Sequence, residues 1–248
     1  MTTMSGTHRR TPERSADLLR RVPKDQRRAR ILDAVEALVV RTGNVDFTMI
    51  ELAKHVGISP TTFYNLFGSK GALLYNLLNR GLDGIITGRN DAAVTADSNP
   101  VDNAILTMTY AAEFFVARPT LYRSLYKFQL GERDMAARPT YLDRGLVLWQ
   151  RSLDGLVAAG YLSDDPAEGV FTRDDVALSL LTHSSGVIDL WVQGDLDDRE
   201  FVARMTHDAA LIVYAVVPDA ERSRIATRIA GIRPRLKHFS FLRKLNDR

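Results

Sequence analysis

The chain has 248 residues, of which 45% are hydrophobic, and its formal net charge is +3. It contains no cysteine, which excludes disulfide frameworks and thiolate metal sites. No run of eighteen apolar residues is present, which excludes a membrane-spanning helix, and the arginine-rich start lacks the apolar run of a secretory signal. We therefore expect a soluble cytoplasmic protein with a large core.

Charge is strongly segregated along the chain. Residues 1–80 carry a net charge of +6 and residues 222–248 carry +8, whereas residues 81–221 carry −11. This distribution indicates that only part of the molecule meets a polyanion. Residues 1–23 hold two arginine pairs among few apolar groups, which predicts a flexible basic arm, and a periodic apolar helix follows over 24–42.

The stretch 48–70 predicts two short helices joined by a tight turn. Thr48 and Glu51 have the spacing of a capping box, in which each residue bonds to the backbone of the other. Gly57 suits the left-handed residue that ends a helix. Ser59, with a proline directly after it, then predicts the N-cap and the first position of the second helix.

These two helices separate apolar from polar side chains. Phe63 and Phe67 are four residues apart and share the face of the second helix that we expect to be buried. The first helix and the turn are expected to bury Ile50, Ala53, Val56 and Ile58. The polar side chains left on the second helix are Thr61, Thr62, Tyr64 and Asn65. Hydroxyls and an amide on an exposed helix suit the DNA major groove, which predicts a helix-turn-helix, although such helix pairs also occur in structural bundles.

From Arg27 to Leu78 the chain resembles the DNA-binding domain of the TetR family of bacterial transcriptional regulators. The residues that carry the resemblance are Gly57-Ile58-Ser59, Thr62-Phe63-Tyr64, Phe67, Lys70 and Leu73. Two positions depart from the family's pattern: Leu66 stands where histidine or tyrosine is usual, and Gly71 stands where an acidic residue is favoured. The resemblance implies a DNA-binding domain, which we assign to 24–70.

The DNA-binding residues that we predict are Thr48, Ser59, Thr61, Thr62, Tyr64, Asn65 and Lys70. Phosphate contacts by Thr48, Tyr64 and Lys70 are implied by the matching family positions. Asn65 and the two threonines are placed to meet base edges, which are the contacts that carry sequence preference.

The remainder predicts an all-α body over 71–221, used for effector binding and dimerisation. We expect helices over 70–87, 100–117, 120–130, 140–159, 172–192, 197–217 and 219–231, and no strand. The first of these is too long for a three-helix head, so it passes from the DNA-binding domain into the body. Gly81, Gly84 and Gly88 weaken its distal half by roughly 1 kcal/mol each relative to alanine, which makes this helix a candidate for transmitting movement.

Aromatic side chains are concentrated in the body helices. Ordinary core packing is one interpretation, and the alternative is a ligand cavity that is apolar with a few polar groups. TetR-like proteins commonly house a small effector in this region, so the resemblance favours the cavity. Our candidates for its lining are Tyr110, Phe114, Tyr122, Tyr126 and Trp149, with His183 as a hydrogen-bond partner. Because these helices hold no basic cluster, we expect a largely apolar effector.

The helices at 172–192 and 197–217 are too apolar around their circumference to face water on one side. The resemblance implies that they pair with their copies in a four-helix interface of a homodimer. The interface residues that we predict are Leu180, Ser184, Val187, Trp191, Met205 and Ile212.

The basic tail, 222–248, has three possible roles. It adds DNA contacts, binds a partner, or folds back onto the acidic body. The charge of −11 on the body and the isoleucines at 225, 229 and 232 favour the last role.

No enzyme motif is present: there is no phosphate-binding glycine loop, nucleophile elbow, metalloprotease motif or cysteine nucleophile. We therefore expect no catalysis, no metal and no cofactor. Our hypothesis is a ligand-responsive repressor, a homodimer on a palindromic operator of double-stranded DNA that a small apolar effector releases. The alternative is a DNA-binding regulator without an effector pocket, either constitutive or architectural. A helical carrier or enzyme would leave the helix-turn-helix unexplained.

Overall fold

The computed structural model describes residues 23–91, 99–131 and 134–236. In these ranges the protein is all-α, with eleven helices, a 3-10 turn at Arg233–Arg235 and no β-strand. Residues 1–22 of the predicted basic arm (1–23) and the end of the basic tail (237–248) lie outside the described residues. The helices are α1 (Lys24–Thr42), α2 (Met49–Val56), α3 (Pro60–Phe67), α4 (Lys70–Asp91), α5 (Pro100–Val116), α6 (Pro119–Gly131), α7 (Arg138–Ser152), α8 (Asp154–Ala158), α9 (Arg173–Val192), α10 (Asp198–Val216) and α11 (Asp219–Ile232).

Local sequence signals begin and end most of these helices. α1 ends at Gly43, whose φ of 70° is left-handed and whose N–H bonds to the carbonyl of Val39. Thr172 and Asp197 each form a capping box at the start of α9 and α10. The predicted starts of the helices at 172–192 and 197–217 are therefore confirmed, and each cap depends on residues only three positions apart.

One predicted helix is divided in two. The stretch 140–159 forms α7 and the short α8, because the chain turns at Leu153, whose N–H bonds to the carbonyl of Gln150 three residues back. The turn brings Gly155 against Pro100, and a Cβ atom on Gly155 would lie 3.0 Å from the Cβ atom of Pro100. This contact between α8 and α5 leaves no trace in the hydrophobic periodicity.

The head consists of α1, α2 and α3 around a small core in which Leu52 and Phe63 have no exposed surface. Ala53 is buried as expected. Ile50 was expected to be buried, but 61% of it is exposed. The inward face of α2 passes through Met49, Leu52 and Ala53, so position 50 points away from the core.

Two side chains, one directly before α6 and one in its second turn, hold the body against the head. Arg118 forms an ion pair with Glu36 on α1. Ser124 donates a hydrogen bond of 3.0 Å to the carbonyl of Gly43, the residue that ends α1. The body therefore contacts the head through α6 as well as through the continuous helix α4.

The rest of the body is built around the antiparallel pair α9 and α10. The rings of Trp191 and Phe201 stack at 4.6 Å near the connection of this pair, and the Trp191 indole N–H donates to Asp198 at 2.8 Å. α10 also packs along α5, where the hydroxyls of Thr109 and Thr206 lie 2.9 Å apart. Among the described helices, none combines the length and the apolar character required to cross a bilayer.

The described part of the basic tail lies on the body. Ile225 and Ile229 of α11 are buried. Arg228 donates to the carboxylate of Asp102 on α5 at 2.8 Å. Apolar cover and an acidic partner together hold α11 in place, which is the arrangement that the charge pattern favoured for residues 222–236.

Candidate nucleic-acid interface and effector cavity

The two helices of the predicted motif have the predicted ends. Thr48 accepts the N–H of Glu51 at 3.2 Å, and the Glu51 carboxylate accepts the N–H of Thr48 at 2.7 Å. These bonds lower the pKa of Glu51, with the backbone bond from Thr48 as the larger cause. Gly57 has a φ of 74° and ends α2, and Ser59 accepts the N–H of Thr62 at 3.2 Å to cap α3. The helix-turn-helix geometry is confirmed.

Helix α3 buries its phenylalanines and exposes its polar residues. Phe63 and Phe67 are buried, with ring centroids 5.3 Å apart. Thr61, Tyr64 and Asn65 are exposed on the opposite side. An exposed hydroxyl, phenol and amide on one short helix form a surface that suits hydrogen bonding to base edges and phosphates.

The other predicted DNA-binding residues flank this surface. Thr48 and Ser59 are exposed at the N-caps of α2 and α3. Thr62 is half-buried, and its hydroxyl lies 2.8 Å from that of Ser59, so it takes part in the cap. The Lys70 ammonium lies 5.6 Å from the centre of the Phe47 ring, at the first residue of α4. The roles of these residues in DNA binding stay predictions.

Leu66, which departs from the family's pattern, packs in the head and is buried. Its carbonyl accepts a hydrogen bond of 2.6 Å from Arg28 on α1, whose guanidinium also lies 5.1 Å from the Phe67 ring centre. The side chain at position 66 therefore contributes to the core, while its backbone ties α3 to α1.

The body contains an internal cavity of about 50 Å³ between α4, α5, α6, α7, α9 and α10. Its lining residues are Leu82, Ile85, Ala111, Phe115, Tyr126, Gln129, Tyr141, Leu142, Gly145, Leu148, Trp149, Leu181, Ser184, Ser185, Ile188 and Met205. No charged side chain is among these described residues. The volume is far below the roughly 300–1,000 Å³ of small-molecule pockets, so a ligand requires the surrounding helices to separate.

Two tyrosines give this cavity a polar side. The hydroxyls of Tyr126 and Tyr141 lie 2.8 Å apart and link α6 to α7. Burial raises the pKa of Tyr141 to about 12 and raises the pKa of Tyr126 well above its ordinary value, so both phenols are neutral at physiological pH. Gln129 adds an amide one turn along α6. The site thus offers neutral hydrogen-bonding groups in an apolar surround.

Tyr126 and Trp149 are the two predicted ligand-binding residues that line this cavity. Tyr110, Phe114 and Tyr122 do not line it, because their rings pack against glycines of α4. A Cβ atom built on Gly84 would lie 2.6 Å from the Phe114 ring, and similar close approaches place Tyr122 on Gly81 and Tyr110 on Gly88. The three glycines are contact sites for aromatic rings, a role that their spacing did not reveal.

His183 also lies elsewhere than expected. It is exposed on α9, whereas its neighbour Ser184 is buried and lines the cavity. The cavity-facing side of α9 passes through Leu181, Ser184 and Ile188, and position 183 lies off that stripe.

The predicted dimer residues are mostly inside the protomer. Leu180, Val187 and Trp191 are buried against their own chain, with 1%, 5% and 0% of their surface exposed. Ser184 and Met205 line the cavity. Of the six, Ile212 alone is partly exposed. The helices α9 and α10 bury one face in the protomer core, so these five residues cannot form a surface between copies without unfolding it.

Several lining residues were missed by sequence reasoning, above all Tyr141 and Gln129. Tyr126 was identified from its aromatic ring and its hydroxyl, and the same signal was available at Tyr141. The pairing of α6 with α7 that brings the two hydroxyls together has no local signature. In the described residues no group of three His, Asp or Glu side chains is placed to hold a metal ion.

Comparison with known proteins identifies the head. Residues 31–77 match the model of the bacterial regulatory proteins of the tetR family. The HTH-type transcriptional activator FasR of Mycolicibacterium smegmatis is 33% identical over 79 residues, which is 32% of this chain and 36% of that protein. The match therefore spans about a third of the length of this relative.

The fold of about three-quarters of this chain is similar to that of solved regulators. A TetR-family transcriptional regulator from Syntrophomonas wolfei has a TM-score of 0.62 and 19% identity, over 79% of this chain and 100% of that one. A TetR transcriptional regulator from Rhodococcus sp. RHA1 has a TM-score of 0.59 and 19% identity, over 76% of this chain and 97% of that one. The resemblance in three dimensions thus extends beyond the head into the body.

Proposed function

Because this chain belongs to the TetR family of bacterial transcriptional regulators, we propose that it is a ligand-responsive regulator that binds a palindromic operator as a homodimer. DNA binding and transcriptional regulation follow from the family. The effector, the dimer and the direction of regulation are the parts that we propose. The observation that carries the effector is that α4 contributes Leu82 and Ile85 to the cavity while its first residue, Lys70, belongs to the DNA-facing head.

The dimer is supported by the solvent-facing side of the α9–α10 pair. Leu178, Leu211 and Tyr214 are 55%, 47% and 38% exposed, although each is large and apolar or aromatic. Contiguous exposed apolar surface commonly marks an interface between proteins. The same face on a second copy gives an isologous contact. In such a dimer the two copies of α3 reach successive major grooves about 34–36 Å apart.

The effector acts by separating the helices around the cavity. The cavity of about 50 Å³ can hold water but is far smaller than small-molecule pockets, so an effector binds only a conformation with displaced walls. Displacement of α4 changes the position of the head relative to the dimer interface. The ligand releases DNA to the extent that it binds the displaced conformation more tightly than the closed one.

We assign the protein the role of a repressor, in which effector binding releases the operator. Activation is the second candidate, because the relative that is 33% identical over 79 residues is described as an activator. The two roles differ in whether the occupied operator blocks or recruits the polymerase, and both use the same DNA-binding surface.

The test starts with duplexes selected from a random-sequence pool by the purified protein. We expect a palindromic sequence, binding that weakens steeply with salt, and a dimeric mass by sedimentation. Apolar compounds that raise the melting temperature are then added to the complex, and those that bind the cavity should lower operator affinity. A reporter with this operator over or upstream of a promoter gives the direction of regulation. A compound that stabilises the protein strongly but leaves operator affinity unchanged would contradict effector control.

A further inference from the structure

The first turn of α4 lacks an acidic residue. A carboxylate in this position would stabilise the helix, because it interacts favourably with the positive end of the helix dipole. Ser69 caps the helix by accepting the N–H of Ala72 at 2.9 Å. Gly71 occupies the position where the resemblance leads one to expect an acidic side chain, and glycine in a helix costs about 1 kcal/mol relative to alanine. This start is therefore weak unless another part of the chain supports it.

Asp134, in the turn before α7, supplies the missing carboxylate. One of its oxygens accepts a hydrogen bond of 3.2 Å from the Ser69 hydroxyl. A Cβ atom on Gly71 would lie 2.9 Å from the Cγ atom of Asp134, closer than real side chains approach. Its distance of 3.0 Å from the Cβ atom of Asp134 is a tight contact that a shift of a few tenths of an ångström relieves. Glycine at position 71 is thus the residue that leaves room for the Asp134 side chain.

The same carboxylate also organises its own turn. Its other oxygen accepts the N–H groups of Ala136 and Ala137 at 3.0 and 2.9 Å. Asp134 therefore links two segments, one through each carboxylate oxygen. The first segment is the start of α4, which carries Lys70, and the second is the turn that leads into α7.

This turn lies between two parts of the cavity lining. Gln129 precedes it on α6 and Tyr141 follows it on α7, and both line the cavity. The Tyr141 ring also lies 5.7 Å from that of Tyr75, which is on α4 one turn beyond Ala72. Separation of α6 from α7 by a ligand would thus displace the segment that holds the start of α4.

We infer that Asp134 is a positioning residue for DNA binding, which holds the start of α4 in the DNA-competent position and couples it to the effector cavity. This inference rests on the proposed function for its second half, the coupling. The first half, the support of the start of α4, does not depend on an effector. The two experiments below test the support and the coupling separately.

The first experiment measures amide hydrogen exchange in residues 69–75 and affinity for the selected operator duplex. Asp134→Ala and Gly71→Ala should each raise exchange in this segment and lower operator affinity about fivefold, the size expected of a lost cap. The double variant Gly71→Glu with Asp134→Ala, which moves the carboxylate onto the helix, should restore both. Asp219→Ala, on the exposed start of α11, is the matched control and should change neither. Unchanged exchange in Asp134→Ala would overturn the support of α4.

The second experiment uses Gly145→Val as a wedge in the cavity, where a Cβ atom at position 145 would lie 3.3 Å from Leu181. With Asp134 in place the wedge should lower operator affinity about fivefold, and in the Gly71→Glu, Asp134→Ala background less than twofold. Gly145→Ala replaces it if the larger variant does not melt cooperatively. Equal losses in both backgrounds would overturn coupling through Asp134, whereas no loss in either would overturn effector control and leave the exchange result standing.

Discussion

The head and the body of this protein differ in how their functional residues are held. In the head, Thr48, Gly57 and Ser59 act on backbone groups within four residues of themselves. In the body, Leu180 and His183 have the exposure opposite to the one expected, because neighbouring helices decide which face of α9 is covered. Local capping can therefore be interpreted from sequence, whereas burial in a multi-helix body depends on partners far along the chain.

Helix α9 shows why hydrophobicity alone did not identify the faces. Ser184 is 4% exposed, and Leu178 is 55% exposed. A small polar residue is buried because its hydroxyl bonds to the Leu181 carbonyl of its own helix at 2.9 Å, which satisfies it without an external partner. The apolar Leu178 lies on the side that we assign to the dimer. At these two positions a polar and an apolar side chain therefore exchange their usual places.

The largest expected effect separates a core position from a surface position on the same helix pair. Val187→Asp places a carboxylate at a site that is 5% exposed, and should destabilise the protomer by roughly 4 kcal/mol or more. Leu211→Asp, at a site that is 47% exposed, should leave the melting temperature of the protomer nearly unchanged and abolish the dimer. Thermal unfolding and sedimentation distinguish the two. A folded monomer from Val187→Asp would contradict the assigned faces.

The next effect concerns alkaline pH and the body alone. The pKa of Tyr141 is raised from its ordinary value near 10 to about 12, because burial disfavours the phenolate. The stabilisation that results from burying the neutral Tyr141 is fully present below pH 10. The free energy of unfolding should fall by about 2 kcal/mol as the pH rises to 12. Chemical denaturation from pH 8 to 12 measures this slope, which Tyr141→Phe should reduce. In the head, the pKa of Glu51 is lowered, so the stabilisation from its ionised carboxylate is lost at acidic pH instead.

A comparable effect tests the exposed surface of the head. Asn65→Ala should cost about 1–3 kcal/mol of operator binding and relax the preference at one base position. Lys70→Ala should weaken binding to all duplexes and reduce the salt slope by about one. Titrations of selected and scrambled duplexes at several salt concentrations separate these results. If Asn65→Ala retained both affinity and preference, its role as a base-reading residue would be wrong.

The smallest effect compares two helical glycines. Gly84→Ala should destabilise the protein by about 1–2 kcal/mol, because its Cβ atom would meet the Phe114 ring at 2.6 Å. Gly231→Ala in α11, where a Cβ atom meets nothing within 4 Å, should stabilise it by about 0.5–1 kcal/mol. Thermal unfolding of both variants measures the difference. Equal stabilisation would show that α4 and α5 separate easily at this contact.

The amino-acid sequence by itself determined the helical class, the ends of most helices and the exposed polar surface of α3. These features depend on hydrogen bonds and side-chain spacing within a few residues, so each is present in a short window of sequence. It also identified Tyr126 and Trp149, whose aromatic rings with a polar atom are suited to a cavity lining.

The tertiary structure alone decided which of the remaining residues meet. Tyr141 faces Tyr126, Phe114 occupies the space above Gly84, and Asp134 occupies the space above Gly71. Each of these pairs joins different helices or turns, and its formation depends on the angle and register at which they pack. Hydrophobic periodicity shows that a helix has a buried face, but the partner that covers this face is chosen by the close packing of the whole body.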